Sequence, residues 1–172
     1  KKGPICYADT TITEFPTAEE LVDITLQTSA SLKSLNIQPR VAMLSYSNFG
    51  SSDLPEAKKV RKAVEILHDK HSEIQVEGEV QGSIAFNKEI LKENYPFSNL
   101  VNGRPNVLIF PNLSAGNIAY NLQLEMGNQD TIGPIILGLK KSVHVLQLGS
   151  TVRQIVHMVA IAVLDAHVKQ KE

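Results

Sequence analysis

Val41-Ala-Met-Leu-Ser-Tyr-Ser-Asn-Phe-Gly-Ser51 decides how this chain is read. Its first half is an apolar run suited to a buried strand, and the run breaks into Ser, Asn and Gly. Pro55 then opens a segment with Ala57, Val60, Val64 and Leu67 at helical spacing. A strand that ends in small hydrogen-bonding residues ahead of a helix offers backbone N–H groups and a helix dipole to an anionic group. An ordinary strand-to-helix turn uses the same residues for caps and turns. Both readings stay open for Ser45, Ser47, Asn48, Gly50 and Ser51. The Lys and glycine pattern of a P-loop are missing, which argues against a nucleoside-triphosphate site.

On either side of this stretch, strand and helix patterns alternate. Residues 4–11 read as a short strand. Thr17-Ala-Glu-Glu20 is a capping box, and its helix has Leu21, Ile24, Thr28, Leu32 and Leu35 along one side before Asn36 stops it. The alternation in residues 74–80 predicts a strand with a polar face. A short helix is expected over residues 87–93, closed by Pro96, with irregular chain over 94–105. Val107-Leu-Ile-Phe110 has the continuous apolar character of a central parallel strand. Ser114 is placed to cap a helix carrying Ile118, Leu122 and Met126, with Gly127 at its end. Residues 132–139 and 143–146 are further apolar runs. Thr151-Val-Arg-Gln154 is a second capping box, for a last helix with Ile155, Val159, Ala162 and Val163 inward. The expected fold class is a layered α/β/α domain over residues 1–172, with a mostly parallel, mixed sheet.

Composition narrows the function classes. The chain has 172 residues, 42% hydrophobic and 20% charged, enough to bury a core and too apolar for disorder. A net charge of −1 argues against a broad nucleic-acid or anionic-membrane surface. The single cysteine, Cys6, excludes an internal disulfide and suits a reducing cytoplasm, the expected location. No apolar run approaches the ~18–20 residues of a membrane span, and no signal peptide is visible. The start at Lys1-Lys-Gly-Pro4 without Met leads to the expectation that the chain is a portion of something longer. His68, His71, His144, His157 and His167 lack metal-ligand spacing, so no metal site is expected. Lys58-Lys-x-x-Arg-Lys62 is a modest basic run, by default a solvated face.

A second break of the strand-to-helix kind is Phe110-Pro-Asn-Leu-Ser-Ala-Gly-Asn-Ile-Ala-Tyr120. Ligands of open α/β sheets bind beyond the carboxyl ends of strands, so Asn112, Asn117 and Tyr120 are candidates for such a crevice. Capping and core packing are the bland alternative. These two stretches resemble the phosphotransacetylases. Ser45-Tyr-Ser-Asn-Phe-Gly-Ser51 resembles the version fused to the C-terminus of bacterial NADP-dependent malic enzymes. Residues 110–121 resemble the family's Phe-Pro-Asp-Leu-Asn-Ala-Gly-Asn-Ile-x-Tyr-Lys, with Asn112, Ser114 and Asn121 as departures. Val76-Glu-Gly-Glu-Val-Gln81 and Thr131-Ile-Gly-Pro134 match further motifs in order. The resemblance implies the second subdomain of a phosphotransacetylase, similar to the isocitrate and isopropylmalate dehydrogenase fold.

One stretch departs from the family's pattern. Active members have Asp-Leu-Ser-Arg-Gly-Cys-Ser-x-x-Asp-Ile-Val, whose Ser, Arg and distal Asp are assigned to the reaction. Here Gln147, Leu148 and Gln154 stand in those places, and Phe49 stands where active members have Lys. A carboxylate can deprotonate the CoA thiol and an amide cannot. An arginine fork holds phosphate oxygens and leucine does not. The resemblance therefore implies a domain without catalytic residues of its own, built into a malic enzyme that uses NADP and a divalent metal (Mg or Mn) upstream. It implies acetyl-CoA as an effector, the N-terminal malic enzyme domain as partner in cis, and assembly into homo-oligomers. The expected effector contacts are Ser47, Asn48, Ser51, Asn112, Asn117 and Gln147. A working phosphate acetyltransferase and a purely structural dimerisation module are the alternatives.

Overall fold

The structure is a computed structural model that describes residues 3–127 and 131–170. Its contacts divide the chain into two units, Lys1–Tyr120 and Asn121–Glu172. The first contains β1 (Cys6–Ala8), α1 (Ala18–Ser34), β2 (Val41–Leu44), α2 (Pro55–Lys70) and β3 (Val76–Val80). Then come α3 (Gly82–Ala85), α4 (Lys88–Asn94), a 3-10 turn (Asn99–Asn102), β4 (Val107–Ile109) and the start of α5 (Leu113–Met126). The strands lie in the order β1-β4-β2-β3, and every pairing is parallel.

Strand alternation builds two cores, one on each face of the sheet. Val41, Met43, Val107 and Ile109 meet Leu21 of α1 and Val60, Val64 and Leu67 of α2. Ala42, Leu108 and Phe110 meet Ala85, Leu91 and Leu100, with Ala115 and Ala119 of α5 against them. This is the layered α/β/α arrangement expected of the sequence. The Thr17 box closes as read: Thr17 N donates to Glu20 Oε2 at 2.8 Å and Glu20 N to Thr17 Oγ1 at 3.1 Å. Asn36 ends α1 in the left-handed region at φ 58°. Its N–H reaches Lys33 O and that of Ile37 reaches Leu32 O, both at 2.9 Å, which satisfies the last carbonyls of the helix.

β3 forms without the polar face that its alternation predicts. Its register against β2 runs Val41 with Val76 and Met43 with Gly78, then skips to Leu44 with Val80. The skipped residue is Glu79. A bulge of this kind inserts one residue and turns the strand. Val76 accordingly joins the first core and Val80 the second. Glu77 and Glu79 are both buried, at 7% and 0% exposure.

The second unit holds the end of α5, an irregular run over residues 131–150, and α6 (Val152–Lys169). The apolar runs 132–139 and 143–146 form no strand. They are tied down by side chains: Ser142 Oγ donates to Ala162 O at 3.0 Å, and Ile136 N donates to His144 Nδ1 at 3.3 Å. The Thr151 box closes, with Thr151 N donating to Gln154 Oε1 at 2.8 Å. The inward face read for α6 is corrected, and α5 does not bury its large apolar residues. Ile118, Leu122 and Met126 are exposed, and α5 instead turns its small residues Ala115, Gly116 and Ala119 inward. Ile155, Val159 and Val163 are exposed, and Met158 is the buried residue of α6. Both helices have adjacent apolar stripes, so periodicity marks an apolar side without fixing which stripe docks. Among the described residues, no helix is long and apolar enough to cross a membrane.

Candidate functional site

β2 leads into α2 on one face of the sheet, and its neighbour β4 leads into α5 on the other. Connections that part to opposite faces leave a crevice beyond the carboxyl ends of the two strands, the usual ligand position in open α/β sheets. The two stretches singled out from the sequence are the loops that flank it.

The loop after β2 is built around Glu79. Ser47 Oγ donates to Glu79 Oε1 at 2.7 Å, and Gly50 N donates to the same oxygen at 2.9 Å. Arg61 donates from Nε to Oε2 and from Nη2 to Oε1, both at 3.1 Å. Arg61 Nη2 also reaches Ser52 O at 2.7 Å, and Phe49 N donates to Glu79 O at 2.7 Å. Burial works to raise the Glu79 carboxyl, but Arg61, Ser47 and the Gly50 amide outweigh it and hold it below its ordinary value. Residues 48–51 form a tight turn, with Phe49 at φ 45° and Gly50 at φ 95°. Glycine takes that second position without strain, while phenylalanine is strained at the first. The Phe49 ring packs on Tyr95 and Phe97, with centroids 4.8 and 5.3 Å away.

Ser47, Asn48 and Ser51 are thus brought together, but in different roles. Ser47 is 1% exposed and its hydroxyl is committed to Glu79 and to Ser51 Oγ at 3.0 Å. Asn48 accepts from Gln81 N at 2.8 Å through Oδ1 and donates its own N–H to Ser51 Oγ at 2.9 Å. Ser51 is on the exposed side.

Across the crevice, Asn112 rather than Ser114 caps α5, accepting from Ala115 N at 2.9 Å through Oδ1. Its Nδ2 donates to Glu56 Oε1 at 3.1 Å. Lys59 Nζ, on α2, joins the same oxygen at 2.8 Å and Pro111 O at 2.8 Å. Asn117 Nδ2 donates to Thr10 O at 3.2 Å, in the loop after β1. That loop is held by Asp9, which accepts from the N–H groups of Thr11, Ile12 and Thr13 at 2.7 to 3.0 Å. Burial would raise the Asp9 carboxyl, and these amides lower it past that. A Cβ on Gly116 would collide with Asp9 O, so only glycine lets α5 approach here.

The sequence did not single out Glu79, Glu56 or Asp9. Gly78 was a usable signal for the first, since glycine inside a strand pattern often marks a bulge. Gln147 lies in the second unit and caps a turn through its carbonyl, which accepts from Ser150 Oγ at 2.7 Å. Leu148 is fully exposed, and Gln154 is committed to the Thr151 box. The basic run of α2 is paired throughout: Lys58 with Asp53, Lys59 with Glu56, Arg61 with Glu79 and Lys62 with Glu19. Cys6 packs against the first core, and burial pushes its thiol up to about 11, which makes it unreactive. Among the described residues, no three His, Cys, Asp or Glu side chains are grouped to hold a metal ion. A hollow of about 130 Å³ lies among Phe86, Leu91, Leu100 and Arg104. That is well below the roughly 300–1,000 Å³ of small-molecule pockets, and none of the candidate residues lines it.

The fold is that of a layered α/β/α domain with a parallel sheet, and comparison gives its family. The profile of the phosphate acetyl/butaryl transferase family matches residues 1–163, and the chain belongs to that family. It is 42% identical over 165 residues to an NADP-dependent malic enzyme of Escherichia coli, covering 95% of this chain and 22% of that protein. A phosphate acetyltransferase of Clostridium acetobutylicum is 38% identical over 96% of this chain and 50% of its own length. A phosphotransacetylase structure from Streptococcus pyogenes superposes with a TM-score of 0.84 at 36% identity, over 96% of this chain and 49% of that one. The chain therefore spans about a fifth of the malic-enzyme relative and about half of the acetyltransferase.

Proposed function

We propose that this chain is the phosphotransacetylase-like regulatory and assembly domain of an NADP-dependent malic enzyme, binding acetyl-CoA without transferring its acetyl group. One observation supports this above the others. The three positions that the family assigns to its reaction hold Gln147, Leu148 and Gln154, none of which can ionise. Loss of one electrostatic donor costs about 3–4 kcal/mol of transition-state stabilisation in characterised enzymes, so loss of three leaves little turnover. Asn48, Ser51, Asn112 and Asn117 are the proposed effector contacts, and Ser47 holds the loop that presents two of them. NADP and the divalent metal belong to the malic enzyme domain in cis, outside these residues. The parent decarboxylates malate oxidatively to pyruvate in the cytoplasm. An effector changes that activity only by binding two states of the assembly unequally.

Assembly into homo-oligomers is supported by α6. Val152, Val156, Val159 and Val163 are 78%, 60%, 58% and 50% exposed along it, a stripe that a second copy of the chain would cover. The second reading, an active phosphate acetyltransferase, draws on the 38% identity to an enzyme of that name. Titrating acetyl-CoA into the complete protein, with CoA release followed in phosphate buffer, separates them. Binding without release is expected. Release at enzymatic rates establishes the acyltransferase, and absence of both leaves assembly alone.

A further inference from the structure

The Glu79 carboxylate occupies the position of a bound anion. A serine hydroxyl, a backbone amide in a left-handed turn and a forked guanidinium converge on it at 2.7 to 3.1 Å. This donor set is the kind that receives free carboxylates and phosphates. Here the acceptor comes from the chain itself, because the bulge opposite Met43 and Leu44 turns Glu79 under the loop. The donors of the loop consequently face inward. Its more exposed side carries Asn48 and Ser51, whose Oδ1 and Oγ accept from Gln81 N and Asn48 N, while the Phe49 ring is packed on Tyr95 and Phe97. A second anion at the same donors would meet both the volume and the charge of the first.

We propose that Glu79 is a built-in anion: it fills the anion-receiving side of the 45–51 loop from within, fixes the loop's shape, and reserves the outer side for an uncharged polar group such as an acyl thioester or amide. Glu79 is thus a positioning residue. Only the identity of the group on the outer side rests on the effector reading above.

The test replaces Glu79 with alanine in the complete protein. Formate, titrated against chloride at equal ionic strength, should raise the melting temperature of Glu79→Ala saturably by several degrees, as a ligand of the folded state does. Wild type and Glu79→Gln should not respond. A folded Glu79→Ala without a formate-specific rise, or an equal rise in wild type, overturns the proposal. Should Glu79→Ala fail to fold, Glu79→Gln decides by amide exchange. Losing charge-assisted bonds should speed exchange at Phe49 and Gly50 about tenfold or more, with Val107 to Ile109 unchanged. Unchanged exchange in the loop overturns the proposal, as does equal acceleration in β4. On wild type, inorganic phosphate should give the loop no protection from exchange, and protection by it refutes the reserved outer side. If acetyl-CoA fails to bind wild type, the effector reading falls while the formate result still decides the role of Glu79.

Discussion

In residues 3–120, successive side chains of β2 and β4 divide between two dry cores, and Leu21, Leu67 and Met43 are 0% exposed. In residues 131–170, Met158 is the buried apolar residue, while α6 leaves a row of valines half or more exposed. The first unit builds two cores of its own, although Ile12, Phe15, Leu54 and Phe97 stay exposed on it. The second buries Met158 and leaves most of its apolar side chains exposed. The same contrast holds for polar groups. The loop after β2 closes on a charge pair with Glu79 fully buried, whereas the bends of the second unit close through the Ser142 hydroxyl and the His144 imidazole.

The largest test of this contrast is truncation. Leu67→Ala should cost about 2–5 kcal/mol in denaturant unfolding, because a buried side chain leaves a cavity. Val159→Ala, 58% exposed, should stay within about 0.5 kcal/mol if α6 is uncovered in solution. A Val159 effect as large as that of Leu67 means that α6 is buried in the assembly. Val156→Asp with Val159→Asp then serves as the complementary experiment: light scattering should show a smaller particle while the first unit keeps its melting transition.

Next in size is the Glu79–Arg61 pair. Removing one partner of a buried pair costs about 3–5 kcal/mol, and Arg61→Met should fall at the low end because its side chain is 27% exposed. The pH dependence has a definite sign. The folded-state value of Glu79 lies below its ordinary 4.5, so its contribution is fully present above about pH 4.5 and is lost as pH falls through the folded value. Glu79→Gln should therefore flatten the acid limb of the stability profile, measured as the urea midpoint from pH 6 to pH 3. An unchanged limb would show that other carboxylates, such as Asp9, set it.

What was legible in the sequence divides along physical lines. Capping boxes, the left-handed stop at Asn36 and the continuous apolar strand at Val107 are local, and each was read correctly. The buried charge at Glu79 was not, because one bulged residue inverts every later side chain of a strand while leaving the alternation in the letters intact. Asn112 displaced Ser114 as the cap of α5 for a similar reason: the helix starts two residues earlier than the serine requires, and Glu56 secures the asparagine. The inward face of α6 failed differently. Periodicity measures apolarity around a helix, and an exposed apolar face looks the same in sequence as one packed on a sheet.

The smallest effect gives the finest comparison, since the two capping boxes place one local motif in both units. Thr17→Ala and Thr151→Ala each remove a side-chain acceptor from an N3 amide, a loss of about 1 kcal/mol. The local chemistry is matched, so any difference in outcome belongs to the surroundings. α1 buries Ala18, Leu21, Val22, Thr25 and Thr28, so its first turn cannot loosen without disturbing the core, and the loss should appear in global unfolding. α6 buries only Met158, more than a full turn beyond its cap. Its first turn can fray alone, and Thr151→Ala should appear as faster amide exchange at residues 153–155 with little change in the melting transition. If both variants shift global unfolding equally, the second unit is coupled to a core as firmly as the first, and the exposed valines of α6 are covered in the protein as it exists in solution.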